Sequence, residues 1–289
     1  MRIRWALVVA VLVLAGCGGP SDGPVVEPAP AGVSVSVLQY RLDYAIRHIQ
    51  IKVTNGSRAP ITVLAARLTS IAFTGDAVWT ANNPADVVVI NPGDSTDLPA
   101  QLAPSNCPGP TAPLIGRTRL DLRQSDGSTL RTTPLPVADP LGAITQVHGE
   151  DCRRAAALAI AGITVVNPLR TQKHGKRLDG QLDLRLTPSG RPGTLTVDSI
   201  GSTTLLDPPN GQFWPVNRTV SAATGPQTIT LPLRPARCDP HAIAEDKLGS
   251  VLSLTLHVNG GTQGIVSVAS EKQVRQQIQN FVLAACGAE

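Results

Sequence analysis

Short alternating strands, closely spaced turn signals and a repeated order of landmarks predict an all-β protein of two tandem immunoglobulin-like β-sandwich domains. Only 3% of its 289 residues are aromatic, so the core must consist of Val, Leu, Ile and Ala. About seven predicted strands in each stretch of roughly 110 residues fit the size and strand density of an immunoglobulin-like sandwich. We expect each domain to end in a short helix and to contain one disulfide bond.

The second half of the chain repeats the landmarks of the first half in the same order. Residues 49–54 and 182–187 both alternate apolar and polar side chains, as a half-buried strand does. The later landmarks form matched pairs: Trp79 and Trp214, Leu98-Pro99 and Leu231-Pro232, Cys107 and Cys238, Gly116 and Gly249, and Cys152 and Cys286. This order indicates a tandem duplication.

Turn residues such as Asn55-Gly56 and Asp126-Gly127 divide each half into strands. In the first half we expect strands near residues 33–42, 47–54, 61–73, 86–90, 94–102, 116–123 and 129–137. In the second half we expect them near 158–170, 180–187, 194–206, 216–221, 227–234, 250–258 and 262–269.

A helix is expected at the end of each half. In the tail, apolar residues recur at helical spacing, with Ser270 and Gln273 in capping-box positions. These apolar residues are Val274, Ile278, Phe281, Val282 and Ala285. The counterpart in the first half is residues 139–149, which include Ile144 and Val147.

The amino terminus has the form of an export signal. Arg2 and Arg4 precede an apolar run at residues 5–13, which is too short to span a bilayer as a mature helix. The run ends in Leu14-Ala15-Gly16-Cys17, which resembles the lipobox of bacterial lipoproteins. That resemblance implies cleavage before Cys17, acylation of Cys17 with groups that include palmitate, and a lipid anchor at the extracytoplasmic face of the cell membrane.

Four segments follow from these observations. We expect a lipoprotein signal peptide at residues 1–16, lipidated Cys17 with a flexible tether to residue 32, β-sandwich domain 1 at 33–154 and β-sandwich domain 2 at 155–289. Residues 18–32 contain four glycines, four prolines and no aromatic residue, a composition that favours disorder.

The charge of the chain does not favour nucleic-acid binding. Removal of a leader that carries Arg2 and Arg4 lowers the number of basic side chains from 25 to 23, against 21 acidic ones. A nearly neutral balance lacks the basic patch that nucleic-acid partners require.

Four cysteines remain once Cys17 is assigned to lipid, and three pairings of them are possible. The repeat selects Cys107 with Cys152 and Cys238 with Cys286, because equivalent positions then pair within each half. We interpret both as structural disulfides, each of which stabilises its domain by roughly 4 kcal/mol according to the chain-entropy argument.

Residues 237–247 form the most distinctive stretch of the chain. Asp239 is suited to cap a helix that begins at Pro240, and His241 and Glu245 would share one face of that helix. The stretch resembles one in lipoproteins of GC-rich bacteria that have two domains with paired cysteines, and this resemblance implies no particular activity. A structural cap is the preferred interpretation, and the alternative is an envelope enzyme or metal-binding protein with a site near Asp239, His241 and Glu245.

Residues 170–177 form a basic run at a predicted strand-to-strand turn. Arg170, Lys173, Lys176 and Arg177 are its cations. On a membrane-tethered protein they are candidates for contact with anionic headgroups or envelope polymers. A solvated hairpin tip is the simpler interpretation.

No covalent-hydrolase, phosphate-loop or dinucleotide-binding signature occurs in the sequence. We therefore expect no enzymatic activity, no cofactor and no bound metal. The preferred hypothesis is a non-enzymatic binding or scaffold module of the cell envelope, held at the membrane by its lipid, whose partner is an envelope protein or glycan.

Overall fold

The computed structural model describes residues 24–40, 42–83, 86–107, 114, 116–124, 126–175, 177–239, 241, 243 and 249–287. The chain is mostly β, as predicted, and the described part contains eighteen strands and three helices. Predictions for the signal peptide, Cys17, Lys176, Glu245 and most of the helix after Asp239 lie outside the described residues. Among the described residues, no helix has both the length and the apolar character needed to cross a bilayer.

The described part of the first half contains ten strands, and all but two of them lie in predicted segments. The strands are β1 (Val25–Glu27), β2 (Val33–Leu38), β3 (His48–Asn55), β4 (Ile61–Ser70), β5 (Ala77–Thr80), β6 (Val88–Ile90), β7 (Ser95–Gln101), β8 (Gly116–Arg123), β9 (Thr129–Thr132) and β10 (Leu135–Ala138). Neither β1 nor β5 was predicted. A short helix, α1 (Asp43–Ile46), was also missed.

The second half begins inside a helix. Helix α2 (Ala143–Ile160) runs directly into β11 (Ala161–His174). The later elements are β12 (Arg177–Pro188), β13 (Thr194–Gly201), β14 (Leu206–Asp207), β15 (Phe213–Ser221), β16 (Gln227–Pro235), β17 (Val251–Val258), β18 (Gly264–Ala269) and helix α3 (Lys272–Ala285).

The two halves pair their strands in the same order. In the first half β3 lies between β2 and β7, and β8 lies between β4 and β9. In the second half β12 lies between β11 and β16, and β17 lies between β13 and β18. The unpredicted β5 pairs with β4 as β15 pairs with β13, so Trp79 and Trp214 occupy corresponding edge strands.

The Leu-Pro landmarks also lie in corresponding strands, but their register differs. Leu98 pairs with Ile51, whereas Leu231 pairs with Leu182, which the sequence repeat aligns with Ile49. The ladder is therefore offset by two residues between the halves. A register shift of two residues keeps every side chain on its original face of the sheet, so both halves have the same pattern of buried and exposed positions.

Each half has its own hydrophobic core. One cluster extends from Val35 to Val147 and the other from Ala157 to Val282, and most members are the Val, Leu, Ile and Ala residues expected from the composition. Trp214 is buried in the second cluster, and its indole N–H donates to the carbonyl oxygen of Pro232 at 2.8 Å. This bond joins β15, which contains Trp214, to β16, which contains Pro232.

Both predicted cysteine pairs are bonded. Cys107 is joined to Cys152 and Cys238 to Cys286, each with Cα atoms 5.4 Å apart. The sequence repeat therefore selected the correct pairing from the three that are possible.

Helix α2 corrects two predictions. A short helix was expected to end near residue 149, and a domain boundary was expected after residue 154, but a single helix of 18 residues crosses that point. Its second half escaped prediction because Glu150-Asp151-Cys152-Arg153-Arg154 interrupts the apolar periodicity. The carboxylate of Asp139 accepts hydrogen bonds from the backbone N–H groups of Ala143 and Ile144 at 2.7 and 3.0 Å, and so caps the helix.

Two further corrections concern the tail and the tether. Helix α3 begins at Lys272 with Glu271 as its N-cap and has no side-chain cap, so the capping box of Ser270 and Gln273 does not form. Strand β1, within the predicted tether, pairs in parallel with β9. Strand pairing satisfies its backbone and places it in the folded body despite a composition that favours disorder.

The packing of α3 on β12 depends on Gly180. A Cβ atom at this buried position would lie 2.8 Å from carbons of the Phe281 ring. We predict that Gly180→Ala lowers the free energy of unfolding by about 1–3 kcal/mol through overpacking, measured by denaturant titration. Gly162→Ala is the control, because its Cβ would meet nothing closer than 3.8 Å. Equal effects of the two substitutions would contradict this account.

Candidate functional site

A large concave site lies between the two halves. Its volume is about 820 Å³, and α1, α2, β17 and β18 contribute to its walls. The lining residues are Gln39, Tyr44, Arg47, Val147, Glu150, Asp151, Arg154, Ser202, Thr203, Thr204, Arg237, Val251, Ser253, Ile265, Val266, Ser267 and Ala269. We call this site the central cleft. A cleft of this size between two packed bodies is a common location for ligand binding.

An ion pair holds one wall of the central cleft. The guanidinium of Arg47 contacts Asp151 at 2.6 Å and donates to the carbonyl oxygen of Ala103 at 3.0 Å. The hydroxyl of Ser105 donates to the other oxygen of Asp151 at 2.5 Å. Arg47 has a φ of 55°, a left-handed conformation that is uncommon for residues other than glycine. These contacts fix the Arg47 side chain against α2.

Helix α2 also contacts the opposite wall. Arg154 donates a hydrogen bond to the carbonyl oxygen of Ser267 in β18. The neighbouring Arg153 lies so close to Gly264 that a Cβ atom there would overlap its guanidinium. Strand β18 has β17 on one side, and within the described strands its other edge has no strand partner. Arg153 and Arg154 of α2 therefore both lie against β18.

Three lining residues offer accessible binding groups. Tyr44 and Ile265 are 44% and 52% exposed, although both are large and apolar. The Arg237 side chain is exposed, and among the described residues it makes no hydrogen bond. The central cleft thus combines apolar surface with an accessible cation, a combination that suits a ligand with an acidic group beside an apolar one.

The residues proposed for the alternative metal or enzyme site give a mixed result. The Asp239 carboxylate accepts a hydrogen bond from the backbone N–H of His241 at 3.0 Å, and its carbonyl accepts one from Ile243 at 3.0 Å. Asp239 thus has the geometry of a helix cap. Glu245 lies outside the described residues, so a site formed with His241 stays a prediction.

The basic run lies at the end of the β11–β12 hairpin, where His174 pairs with Arg177. Arg170 binds both oxygens of Asp183, at 2.5 and 2.9 Å, and Arg177 contacts Asp179 at 2.9 Å. Lys173 is exposed, and Lys176 lies outside the described residues. Arg170 and Arg177 line a second concavity of about 600 Å³. Their carboxylate partners neutralise much of the predicted positive charge.

Asp183 is a carboxylate of the second half that two side chains hold. It is 8% exposed and also accepts a hydrogen bond from Thr230 at 2.7 Å. The hydrogen bond from Arg170 is the main cause that holds the pKa of Asp183 below its ordinary value, with a further contribution from Thr230. Both partners stabilise the ionised carboxylate relative to its protonated form.

Prediction from sequence missed the central cleft and also His148. The cleft residues come from elements far apart in the chain, and α1 was not predicted. His148 is 8% exposed and lies beside the Cys107–Cys152 bond. Its spacing of four residues from Cys152 was visible in the sequence and would have indicated this contact if α2 had been predicted at its full length.

Comparisons with known proteins show only distant structural likenesses. No protein-family model matches it. No curated protein matches its sequence. Among solved structures, red sea bream transglutaminase is 11% identical with a TM-score of 0.23 over 84% of this chain and 32% of that enzyme. The YadV chaperone is 13% identical with a TM-score of 0.22, over 82% of this chain and 99% of its own.

The calcium-binding domain CBD12 of CALX1.1 is 8% identical with a TM-score of 0.20, over 91% of each chain. These TM-scores are too low to support an argument about fold family or function. The proposed function therefore rests on the contacts, exposure and charges of the residues that the structure describes.

The Arg170–Asp183 pair predicts a pH-dependent stability. Because the pKa of Asp183 is lowered on folding, its contribution is present above about pH 4 and is lost as the pH falls further. We expect Arg170→Ala to lower the free energy of unfolding by about 1–2 kcal/mol at pH 7, because it leaves a buried carboxylate without its cation. This difference should shrink below about pH 4 in denaturant titrations.

Arg185→Ala is the matched control, since Arg185 is an exposed arginine in β12, the strand that contains Asp183. We expect this control to change stability by less than about 0.5 kcal/mol at either pH. A loss for Arg170→Ala that stays constant from pH 7 to pH 3 would contradict the assignment to Asp183.

Proposed function

We propose that this chain is a lipid-anchored cell-envelope protein that acts as a non-enzymatic binding module, with its ligand in the central cleft. The mature protein would begin at acylated Cys17 on the extracytoplasmic face of the cell membrane. The single observation that carries the binding role is a cleft of about 820 Å³ between two separately packed cores, with apolar surface and a cation exposed in it.

The proposal includes two tandem immunoglobulin-like sandwich domains. In an immunoglobulin-like fold the first, second and fifth strands share one sheet, and the third, sixth and seventh share the other. The order β2-β3-β7 beside β4-β8-β9 corresponds to that arrangement. The order β11-β12-β16 beside β13-β17-β18 corresponds to it again.

The disulfides and the lipobox together support an extracytoplasmic location. Disulfide bonds persist where the environment is oxidising, which in bacteria is outside the cytoplasmic membrane. Strand β1 begins at Val25, so the tether from Cys17 is shorter than the sequence suggested. At roughly 3.1 Å per extended residue it reaches about 20 Å, which would hold the folded body close to the lipid headgroups.

The partner favoured by the cleft is a segment of another envelope protein that carries an acidic residue near an apolar one. Arg237 would bind the acidic group, and Tyr44 and Ile265 would contact the apolar group. A glycan is the alternative outcome of the binding experiment.

Acylation is tested by metabolic labelling with an alkyne fatty acid, followed by mass spectrometry of the amino-terminal peptide. We expect the wild-type chain to be labelled at Cys17 and cleaved before it. Cys17→Ser should abolish the label, because the thiol is the acceptor, whereas Ser21→Ala should keep it. An unacylated amino terminus in the wild type would refute the anchor.

The cleft is tested by placing a photo-crosslinking residue at Tyr44 or Ile265 in intact cells. We expect both positions to capture the same envelope protein. Val89 is the control position, because it is 56% exposed, close to the 52% of Ile265, and does not line the cleft. Arg237→Glu should reduce the yield about tenfold by placing like charges together, whereas Arg191→Glu should leave it unchanged. Identical adducts from all three positions would refute the cleft as the binding site.

A further inference from the structure

One cluster of metal-ligating side chains stands apart from the central cleft. The sulfur atoms of Cys107 and Cys152 and a ring nitrogen of His148 lie within 4.8 Å of one another. His148 Nε2 is 3.5 Å from Cys152 Sγ, because the two residues are four apart on one face of α2. Among the residues that the structure describes, this is the only group of three such side chains.

The cluster is assembled by contacts that do not require the disulfide. The Ser105 hydroxyl donates to Asp151, one residue before Cys152. The backbone N–H of Asn106 donates to the carbonyl oxygen of Ala72 at 2.8 Å, and Ser105 forms a β-bridge with Phe73. If the bond between the cysteines is opened, these contacts still hold the residues before Cys107 against α2. The two sulfur atoms would therefore stay near each other and near His148.

We propose that the Cys107–Cys152 bond covers a latent metal site, and that its reduced form binds one thiophilic metal ion of the Zn²⁺ class. The ligands are the two thiolates and the Nε2 atom of His148. Two sulfurs and one imidazole are a donor set that Zn²⁺ prefers, and three protein ligands leave its fourth tetrahedral position open to water or another ligand.

The chemistry is a reduction followed by metal binding. A dithiol reductant supplies two electrons and two protons: one of its sulfurs attacks a sulfur of the pair, and its second sulfur then closes a new disulfide within the reductant. Cys107 is exposed and open to this attack. The freed thiols release two protons as Zn²⁺ binds.

His148 must change its hydrogen bond for this step. Its Nε2 lies 3.1 Å from the carbonyl oxygen of Asn106, which only accepts hydrogen bonds, so Nε2 carries the proton in the disulfide form. When Nε2 binds the metal, the ring proton is carried by Nδ1 instead. The hydrogen bond from Nε2 to the Asn106 carbonyl oxygen is then replaced by the bond to the metal.

The second disulfide has a different setting. In the part of the chain that the structure describes, the nearest polar contact of Cys286 Sγ is the carbonyl oxygen of Arg237 at 3.7 Å, and no histidine completes a cluster there. The two bonds therefore provide an internal comparison within one chain. The proposal assigns metal binding to the first bond alone.

The test uses the full chain purified in detergent, reduced with a dithiol under anaerobic conditions and freed of reductant. Zn²⁺ binding is measured by competition with a chromophoric chelator, and Co²⁺ serves as a spectroscopic probe of sulfur ligation. We expect one Zn²⁺ per reduced chain and none in the oxidised chain. The Cys238→Ser/Cys286→Ser variant should keep this binding, and the Cys107→Ser/Cys152→Ser variant should lose it.

His148→Ala should weaken Zn²⁺ binding by at least about tenfold while leaving the cobalt–thiolate absorption of any residual complex. His148→Gln, which retains more of the side-chain volume, should weaken it similarly, and circular dichroism reports whether each variant is folded. No binding by the reduced and folded wild type would overturn the proposal. Loss of the fold on reduction, or wild-type affinity in both His148 variants, would overturn it as well.

Discussion

Helix α2 connects the two hydrophobic cores of this molecule, and the rest of the structure depends on that connection. Ile144 and Val147 at its beginning belong to the first hydrophobic core, and Ala157 and Ile160 at its end belong to the second. A helix of 18 residues is about 27 Å long and stiff on that scale. Because both ends are embedded in close-packed cores, neither half can shift along the helix without opening cavities.

The character of the central cleft follows from this constraint. The middle of α2 passes between the two cores, where its polar side chains are half-buried or exposed. Asp151 and Arg154 lie in this stretch and contact opposite walls of the cleft. Cys152 lies in the same turn of α2 as Asp151 and Arg154, so this part of α2 supports both the cysteine cluster and the cleft. A ligand in the cleft and a metal at the cluster would both act on this stretch of helix.

The two halves differ mainly in how their final helix packs. Helix α3 folds back onto its own half, where Phe281 packs against Gly180. Helix α2 instead leaves its half, enters the next one and continues into β11. The strand order tolerates this difference because each half buries its sheets around its own core. The final helix of a half can therefore pack within that half, as α3 does, or join the two halves, as α2 does.

Local patterns were sufficient for most of the fold. The strands near 48–55, 116–123 and 227–235 alternate apolar and polar residues so regularly that period alone locates them, and the repeat selected both disulfides. Strand β1 was missed because its pairing with β9 depends on a partner about a hundred residues away. The reach of α2 was missed because its polar middle is stable only where two cores support its ends.

The candidate site was less accessible to prediction. Sequence by itself determined the mostly β class, the cysteine pairs and the basic hairpin, because each depends on residue type and short-range or repeated spacing. Tertiary structure alone decided that Tyr44, Arg237 and Ile265 line one cleft and that Cys107 comes close to His148 on α2. Such contacts join side chains from elements whose relative positions are set by the packing of whole cores, and no local pattern encodes that arrangement.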